Sequence, residues 1–82
     1  MKYHVLTIEQ INGESEGTYS EYSKSEKKDT FNAALSAFYE KLKNVSADIG
    51  TQHTFMSIKI LNSKGEIEKS DAVGKYVEQA AE

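Results

Sequence analysis

The feature that most constrains this chain is an apolar stripe of helical period between two segments of period two. Its members recur three or four residues apart, as the core-facing side of an amphipathic helix requires. They are Phe31, Ala34, Leu35, Phe38, Leu42 and Val45. Asp29 precedes the stripe, where a carboxylate can cap free backbone N–H groups, and Gly50 follows it as a left-handed stop. The pattern predicts a helix over about residues 30–46.

Two strands are predicted before this helix. In residues 3–11, Leu6 and Ile8 share one face and Val5 lies on the other, and β-branched residues are frequent. An Asn-Gly pair follows at once and is a strong turn signal. Residues 18–25 predict a more polar strand, whose lysines and glutamates suit the edge of a sheet.

The period of two returns after the helix. Residues 51–62 predict a third strand, and a turn at Gly65 joins it to a short fourth strand over residues 66–69. The apolar residues that we assign to the core face of the sheet are Leu6, Ile8, Met56, Ile58 and Ile60.

A second, short helix is predicted at the C-terminal end of the sequence. Asp71 can cap it, and the apolar residues that follow step three and four apart. They are Val73, Tyr76, Val77 and Ala80. Because this helix contains Gly74 and is short, it would be marginal without packing against the sheet.

These elements predict a single α+β domain over residues 1–82, with the order ββαββ and a short C-terminal helix. The first and third strands are the most apolar and would be antiparallel neighbours at the centre of the sheet. The predicted architecture is a two-layer sandwich with a four-stranded antiparallel sheet in the order 2-1-3-4 and the long helix on one face.

Composition narrows the functional classes. The chain has no Cys, which excludes disulfides, thiolate metal sites and cysteine nucleophiles, and favours a reducing cytoplasm. No apolar run approaches a membrane span, and the first residues are too short and polar for a signal peptide. The formal net charge is −3 and every basic residue is lysine, so no guanidinium clamp for phosphate is possible.

The sequence carries no recognisable catalytic or cofactor motif. His4 and His53 each begin a strand, and antiparallel neighbours begin at opposite ends of a sheet, so the two imidazoles cannot share a metal or acid–base site. No serine lies in a nucleophile elbow and no glycine pair forms a phosphate loop. We therefore expect a protein that is not an enzyme and that needs no metal or cofactor.

A candidate interface lies on the second face of the predicted sheet. That face is more apolar than a face in water should be, which is the usual mark of a protein–protein contact. The residues assigned to it are Tyr3, Val5, Phe55, Leu61 and Tyr76, with Phe55 near its centre. The expected function is that of a small protein-binding module, which binds either a partner protein or a second copy of itself.

A single-stranded nucleic-acid binder is the alternative. Tyr19 and Tyr22 would offer stacking platforms, and the lysines before the helix would contact the backbone. These lysines are Lys24, Lys27 and Lys28. The acidic net charge opposes this interpretation, because nucleic-acid binding at physiological salt draws on several uncancelled cations.

Three segments carry a resemblance at the level of layout and apolar pattern. They are KYHVLTI at residues 2–8, AALSAFY at 33–39 and MSIKILNSKGEI at 56–67. In these segments the chain resembles small uncharacterised proteins encoded in phages and prophages of Gram-positive gut bacteria. The resemblance implies no activity and no functional residues. It implies a bacterial or phage cytoplasmic setting, in which a phage-encoded modulator of a host protein is expected.

Overall fold

Residues 2–78 are described by a computed structural model, and they contain four strands and one helix. The elements are β1 (Tyr3–Asn12), β2 (Tyr19–Lys28), α1 (Phe31–Asp48), β3 (His53–Leu61) and β4 (Ile67–Gly74). All neighbouring strands are antiparallel, and their order in the sheet is β2-β1-β3-β4. The predicted α+β fold and strand order are therefore confirmed.

The helix begins with a threonine cap. The Thr30 side chain accepts a hydrogen bond from the Ala33 backbone N–H at 3.1 Å, which satisfies one of the free donors of the first turn. Asp29, which the sequence favoured as the cap, is ion-paired with Lys2 instead. The helix extends to Asp48, two residues beyond the predicted end, and Gly50 follows with a positive φ of 88°.

The central strands show which sheet face packs on α1. In the β1–β3 register Val5 lies opposite Ile60 and Thr7 opposite Ile58, and opposed residues share a face. Because Ile58 and Ile60 are buried under the helix, the odd-numbered residues of β1 also face α1. The apolar residues buried there are Val5, Ala34, Phe38, Val45, Met56, Ile58 and Ile60.

This register corrects the predicted core. Leu6 and Ile8 lie on the face away from the helix, so their assignment to the core was wrong by one residue. Thr7 and Glu9 take the buried positions instead, although both side chains are polar. The apolar pattern does not identify the core face because β1 has aliphatic residues on both faces. Shifting the pairing register of a strand by one residue exchanges its two faces completely.

The predicted C-terminal helix is also wrong within the described residues. Asp71 and Val73 belong to β4, which pairs with β3 as far as Gly74. Residues 75–78 have no regular secondary structure, and Ala80 lies outside the described residues. Backbone pairing with β3 satisfies more hydrogen bonds than a two-turn helix could, and Val73 still packs against the core.

The one helix within residues 2–78, α1, is not long and apolar enough to span a bilayer.

Candidate functional site

The face of the sheet opposite α1, which we call the open face, contains an apolar groove of about 250 Å³. Leu6 and Ile8 of β1 contribute its large aliphatic side chains, and Ile8 is 40% exposed. The residues that line the groove are Leu6, Thr7, Ile8, Ser23, Lys24, Ser25, Ser57 and Lys59.

The groove follows from the size of the neighbouring side chains. Ile8 lies between Ser23 of β2 and Ser57 of β3, and Leu6 lies between Ser25 and Lys59. Directly opposed side chains on one sheet face are close enough to cover each other when both are large. Serine side chains are too short to do so, and the two aliphatic side chains therefore stay accessible.

The charge of the groove is positive. Lys59 lies on the open face beside Leu6, and no Asp or Glu is among the lining residues. Lys24 also borders the groove, although its pairing with Thr7 directs its side chain toward the helix side. A groove with this lining in a chain of net charge −3 favours an apolar ligand group next to a carboxylate.

The other end of the open face is covered by the residues that follow β4, 75–78, which we call the C-terminal segment. The Gln10 side chain holds the backbone of Val77 through two hydrogen bonds, one donated by Gln10 Nε2 to the carbonyl at 2.7 Å and one accepted by Oε1 from the N–H at 2.8 Å. Thr54 Oγ1 donates a third, at 2.7 Å, to Gln10 Oε1. The buried amide therefore fixes this segment across the sheet.

Tyr76 covers Phe55. Their rings meet edge to face with centroids 5.6 Å apart, and the Tyr76 hydroxyl donates to a Glu21 carboxylate oxygen at 2.6 Å. This hydrogen bond, with burial and the Glu21 charge, raises the pKa of Tyr76. Phe55 is therefore partly covered by Tyr76, and the large apolar side chains that line the groove are those of Leu6 and Ile8, whereas Ile67, which pairs with Leu61 on the same face, is exposed outside the groove.

The five predicted interface residues are divided between the two faces. Val5 is in the core and Tyr3 packs on Phe31 of the helix with ring centroids 5.5 Å apart, so placing these two on the second face was wrong. Phe55 and Leu61 lie on the open face. Leu6 and Ile8 were not among the predicted interface residues. The sequence feature that could have indicated their exposure is the set of serines that pair beside them on β2 and β3. That set is Ser23, Ser25 and Ser57.

The residues of the nucleic-acid alternative are not brought onto one surface. Tyr22 pairs with Glu9 on the helix side, whereas Tyr19 occupies an odd position of β2, on the open side. Lys24 and Lys28 likewise alternate with Lys27. Tyr22 therefore shares a face with Lys24 and Lys28, and Tyr19 shares the other face with Lys27, so the predicted set is divided between two surfaces.

A polar cluster around the buried Glu9 lies between the sheet and the C-terminal end of α1. His53 Nε2 lies 2.8 Å from Oε1 of Glu9, and His53 Nδ1 lies 2.7 Å from Oδ2 of Asp48. Lys41 Nζ is 3.3 Å from Glu9 Oε2, within ion-pair range but outside hydrogen-bond geometry. The Glu9 side chain is fully buried, whereas the side chains of His53 and Asp48 are 16% and 36% exposed.

The surroundings shift two pKa values in this cluster. The hydrogen bond with His53 holds the pKa of Asp48 below its ordinary value. Burial raises the pKa of Tyr22, and the negative charge of Glu9, whose Oε1 is 3.4 Å from the Tyr22 hydroxyl, raises it further.

The cluster does not have the geometry of a metal site. Both imidazole nitrogens of His53 are occupied by carboxylates on opposite sides of the ring. No group of three potential metal ligands within residues 2–78 converges on one point. His4 pairs with Leu61 at the opposite end of the β1–β3 ladder, which confirms the predicted separation of the two histidines.

Comparison with protein-family models, with curated proteins and with solved structures finds no match for this chain.

Proposed function

We propose that this protein is a non-enzymatic protein-binding module, and that the groove at Leu6 and Ile8 receives an apolar side chain of a partner protein. The observation that supports the proposal is the 40% exposure of Ile8 in an apolar groove. An exposed aliphatic side chain between two serines contributes little hydrophobic stabilisation to the folded monomer. A partner that covers it removes its apolar area from water.

The size of the groove supports a side-chain anchor over a small-molecule ligand. Its volume of about 250 Å³ is less than the roughly 300–1,000 Å³ that pockets for drug-sized molecules occupy. A groove of this size accepts one or two large side chains of a protein segment. Interfaces commonly depend on a few such anchors surrounded by less important contacts.

The charge of the groove specifies the partner further. Lys59 supplies an ammonium group next to Leu6, and the open-face carboxylate of Glu21 is already hydrogen-bonded to Tyr76. The partner segment that complements this surface carries an aliphatic or aromatic residue with Asp or Glu beside it. In the phage setting that the sequence resemblance implies, this partner is a host protein.

We expect Ile8→Lys to abolish partner binding while the protein stays folded. Ile8 is already exposed to water, so a lysine there is tolerated by the monomer but cannot be desolvated in an interface. Ile67→Lys is the matched control, because Ile67 is 57% exposed and is not among the residues lining the groove.

The measurement uses a displayed library of short random peptides selected on the wild-type protein. The expected result is a set of peptides that lose about tenfold or more in affinity for Ile8→Lys and bind Ile67→Lys as they bind wild type. Peptides that bind both variants with the same affinity as wild type would show that the groove is not the site. Self-association of the wild type in light scattering, lost in Ile8→Lys, would instead make a second copy the partner.

A second prediction tests the charge of the partner. Among the selected peptides we expect Asp and Glu to be enriched, and we expect Lys59→Glu to weaken their binding several-fold, more at low than at high salt. Lys43→Glu, on the exposed side of α1, is the control for net charge. Enrichment of basic peptides, together with unchanged binding to Lys59→Glu, would contradict the acidic partner while leaving the groove as the site.

A further inference from the structure

The contacts within the Glu9–His53–Asp48 cluster call for one more proton than a neutral imidazole and two ionised carboxylates supply. A neutral imidazole has one N–H donor and one acceptor nitrogen, whereas an ionised carboxylate only accepts. Both nitrogens of His53 face carboxylate oxygens, at 2.7 and 2.8 Å. At those distances an acceptor nitrogen would repel an ionised carboxylate, whereas two donor nitrogens, those of an imidazolium, would satisfy both contacts.

The charge count agrees with this protonation state. Glu9 and Asp48 contribute two negative charges, and Lys41 contributes one positive charge 3.3 Å from Glu9. An imidazolium at His53 makes the cluster neutral, whereas a neutral imidazole leaves one net negative charge. Lys41 already lies beside the buried Glu9, so the imidazolium is the cation that would balance the partly exposed Asp48.

The cluster joins three elements. Glu9 lies on β1, His53 begins β3 and Asp48 ends α1. Asp48 Oδ2 also accepts the His53 backbone N–H at 3.1 Å, which closes the short connection between the helix and the strand. The other charged or titratable groups that approach Glu9 are Lys41 on the helix and the Tyr22 hydroxyl on β2. Within residues 2–78 no ion pair joins Glu9 to a group of β4.

We infer that Glu9, His53 and Asp48 form a proton-dependent clamp, which holds the end of α1 on the sheet while His53 is an imidazolium and opens when that proton is lost. The inference does not depend on the proposed function, because the clamp lies on the helix side of the sheet and the groove on the open side. Loss of the proton leaves a lone pair of the ring facing a carboxylate.

The clamp has an alkaline and an acid limit. Folding favours the cationic imidazole, so its stabilising contribution is present at low and neutral pH and is lost as the pH rises and the proton leaves. The pKa of Asp48 is lowered, so the contribution of that carboxylate is present above its ordinary pKa and is lost as the pH falls through the lowered value. The clamp is therefore strongest between these two limits.

Nitrogen-15 NMR of the wild-type imidazoles is the direct test. At about pH 7.5 an ordinary histidine, with a reference pKa of about 6.5, is mostly neutral and has one protonated ring nitrogen. We expect both ring nitrogens of His53 to be protonated at that pH. Glu9→Gln removes one of the two acceptors, and in this variant we expect the proton to be lost at lower pH than in wild type.

Denaturation at a series of pH values measures the energetic link. The unfolding equilibrium constant of His53→Gln relative to wild type is expected to fall by about tenfold between about pH 6 and pH 9, since the clamp in wild type opens over that range. His4→Gln, at the other end of the sheet, is the control and should give a ratio that changes much less.

A single protonated nitrogen on His53 at about pH 7.5 would overturn the inference, because the extra proton would then reside on a carboxyl group or be absent. The NMR measurement needs no variant, so it decides the question even if His53→Gln does not fold. A ratio of unfolding constants that is independent of pH would likewise overturn the proton dependence of the clamp.

Discussion

Phe38→Ala is expected to destabilise the protein by about 3–5 kcal/mol, because Phe38 is completely buried between the helix and the central strands. That loss approaches the total stability expected for a small domain, about 5 kcal/mol or a little more. Much of the variant population should therefore be unfolded without denaturant. Urea denaturation followed by circular dichroism measures the change.

Tyr39→Ala is the matched control for this prediction. Tyr39 is the next residue of the same helix and is also aromatic, but its side chain is 51% exposed. It packs against Phe38 with ring centroids 5.3 Å apart, so some loss is expected, but much less than for the buried ring. Equal losses at the two positions would show that the helix does not bury the face assigned to it.

Gly74→Ala is expected to cost about 2–5 kcal/mol, the sum of two separate penalties. Gly74 has a φ of 76°, and the left-handed conformation costs a residue with a side chain about 1–2 kcal/mol. A Cβ at this position would also lie 2.2 Å from the Thr54 carbonyl oxygen and 2.7 Å from Ile49 Cδ1. Backbone cannot move away easily, and the shift needed adds about 1–3 kcal/mol.

Gly65→Ala separates the two penalties. Gly65 has a similar φ of 83°, but no atom lies within 4 Å of the Cβ that alanine would add. This variant should lose only the conformational part, about 1–2 kcal/mol. Equal stability of the two variants in thermal or urea denaturation would show that the close approach at Gly74 adds no penalty. That result would contradict the tight contact between Gly74 and the Thr54 carbonyl.

Gly74 also determines how the C-terminal segment reaches the open face. After this residue the Lys75 N–H donates to the Thr54 carbonyl at 2.8 Å, and the chain then crosses to Gln10. Gly74→Ala should therefore loosen the cover over Phe55 before it disturbs β1 and β3. Faster amide exchange at Lys75 and Val77 than in Gly65→Ala would be the sign of this local opening.

The helix and the order of the strands could be predicted from the sequence because their signals are local. The stripe from Phe31 to Val45 matches one helical face along its full length, and alternation in β3 correctly placed Met56, Ile58 and Ile60 in the core. Short connections then leave few arrangements, since hairpins pair neighbouring strands and a helix between them covers one face of the sheet.

The functional surface could not be predicted in the same way. Val5, Leu6 and Ile8 are all aliphatic, so the apolar pattern of β1 does not distinguish its two faces. The side that packs on α1 is decided by Thr7 and Glu9, and the burial of Glu9 is accompanied by charge compensation from the Lys41 ammonium, which lies in ion-pair range of its carboxylate. That compensation joins residues far apart in the chain and has no local signature.

The sequence by itself therefore determined the long helix and the strand order β2-β1-β3-β4, but not the extent of β4, part of which it predicted as a second helix. Propensity and periodicity act over neighbouring residues, and these are sufficient to specify elements and their order. The tertiary structure alone decided that Leu6 and Ile8 face outward, that Gln10 holds Val77 and that His53 lies between two carboxylates. These outcomes depend on the pairing register and on hydrogen bonds between distant residues, which no local pattern encodes.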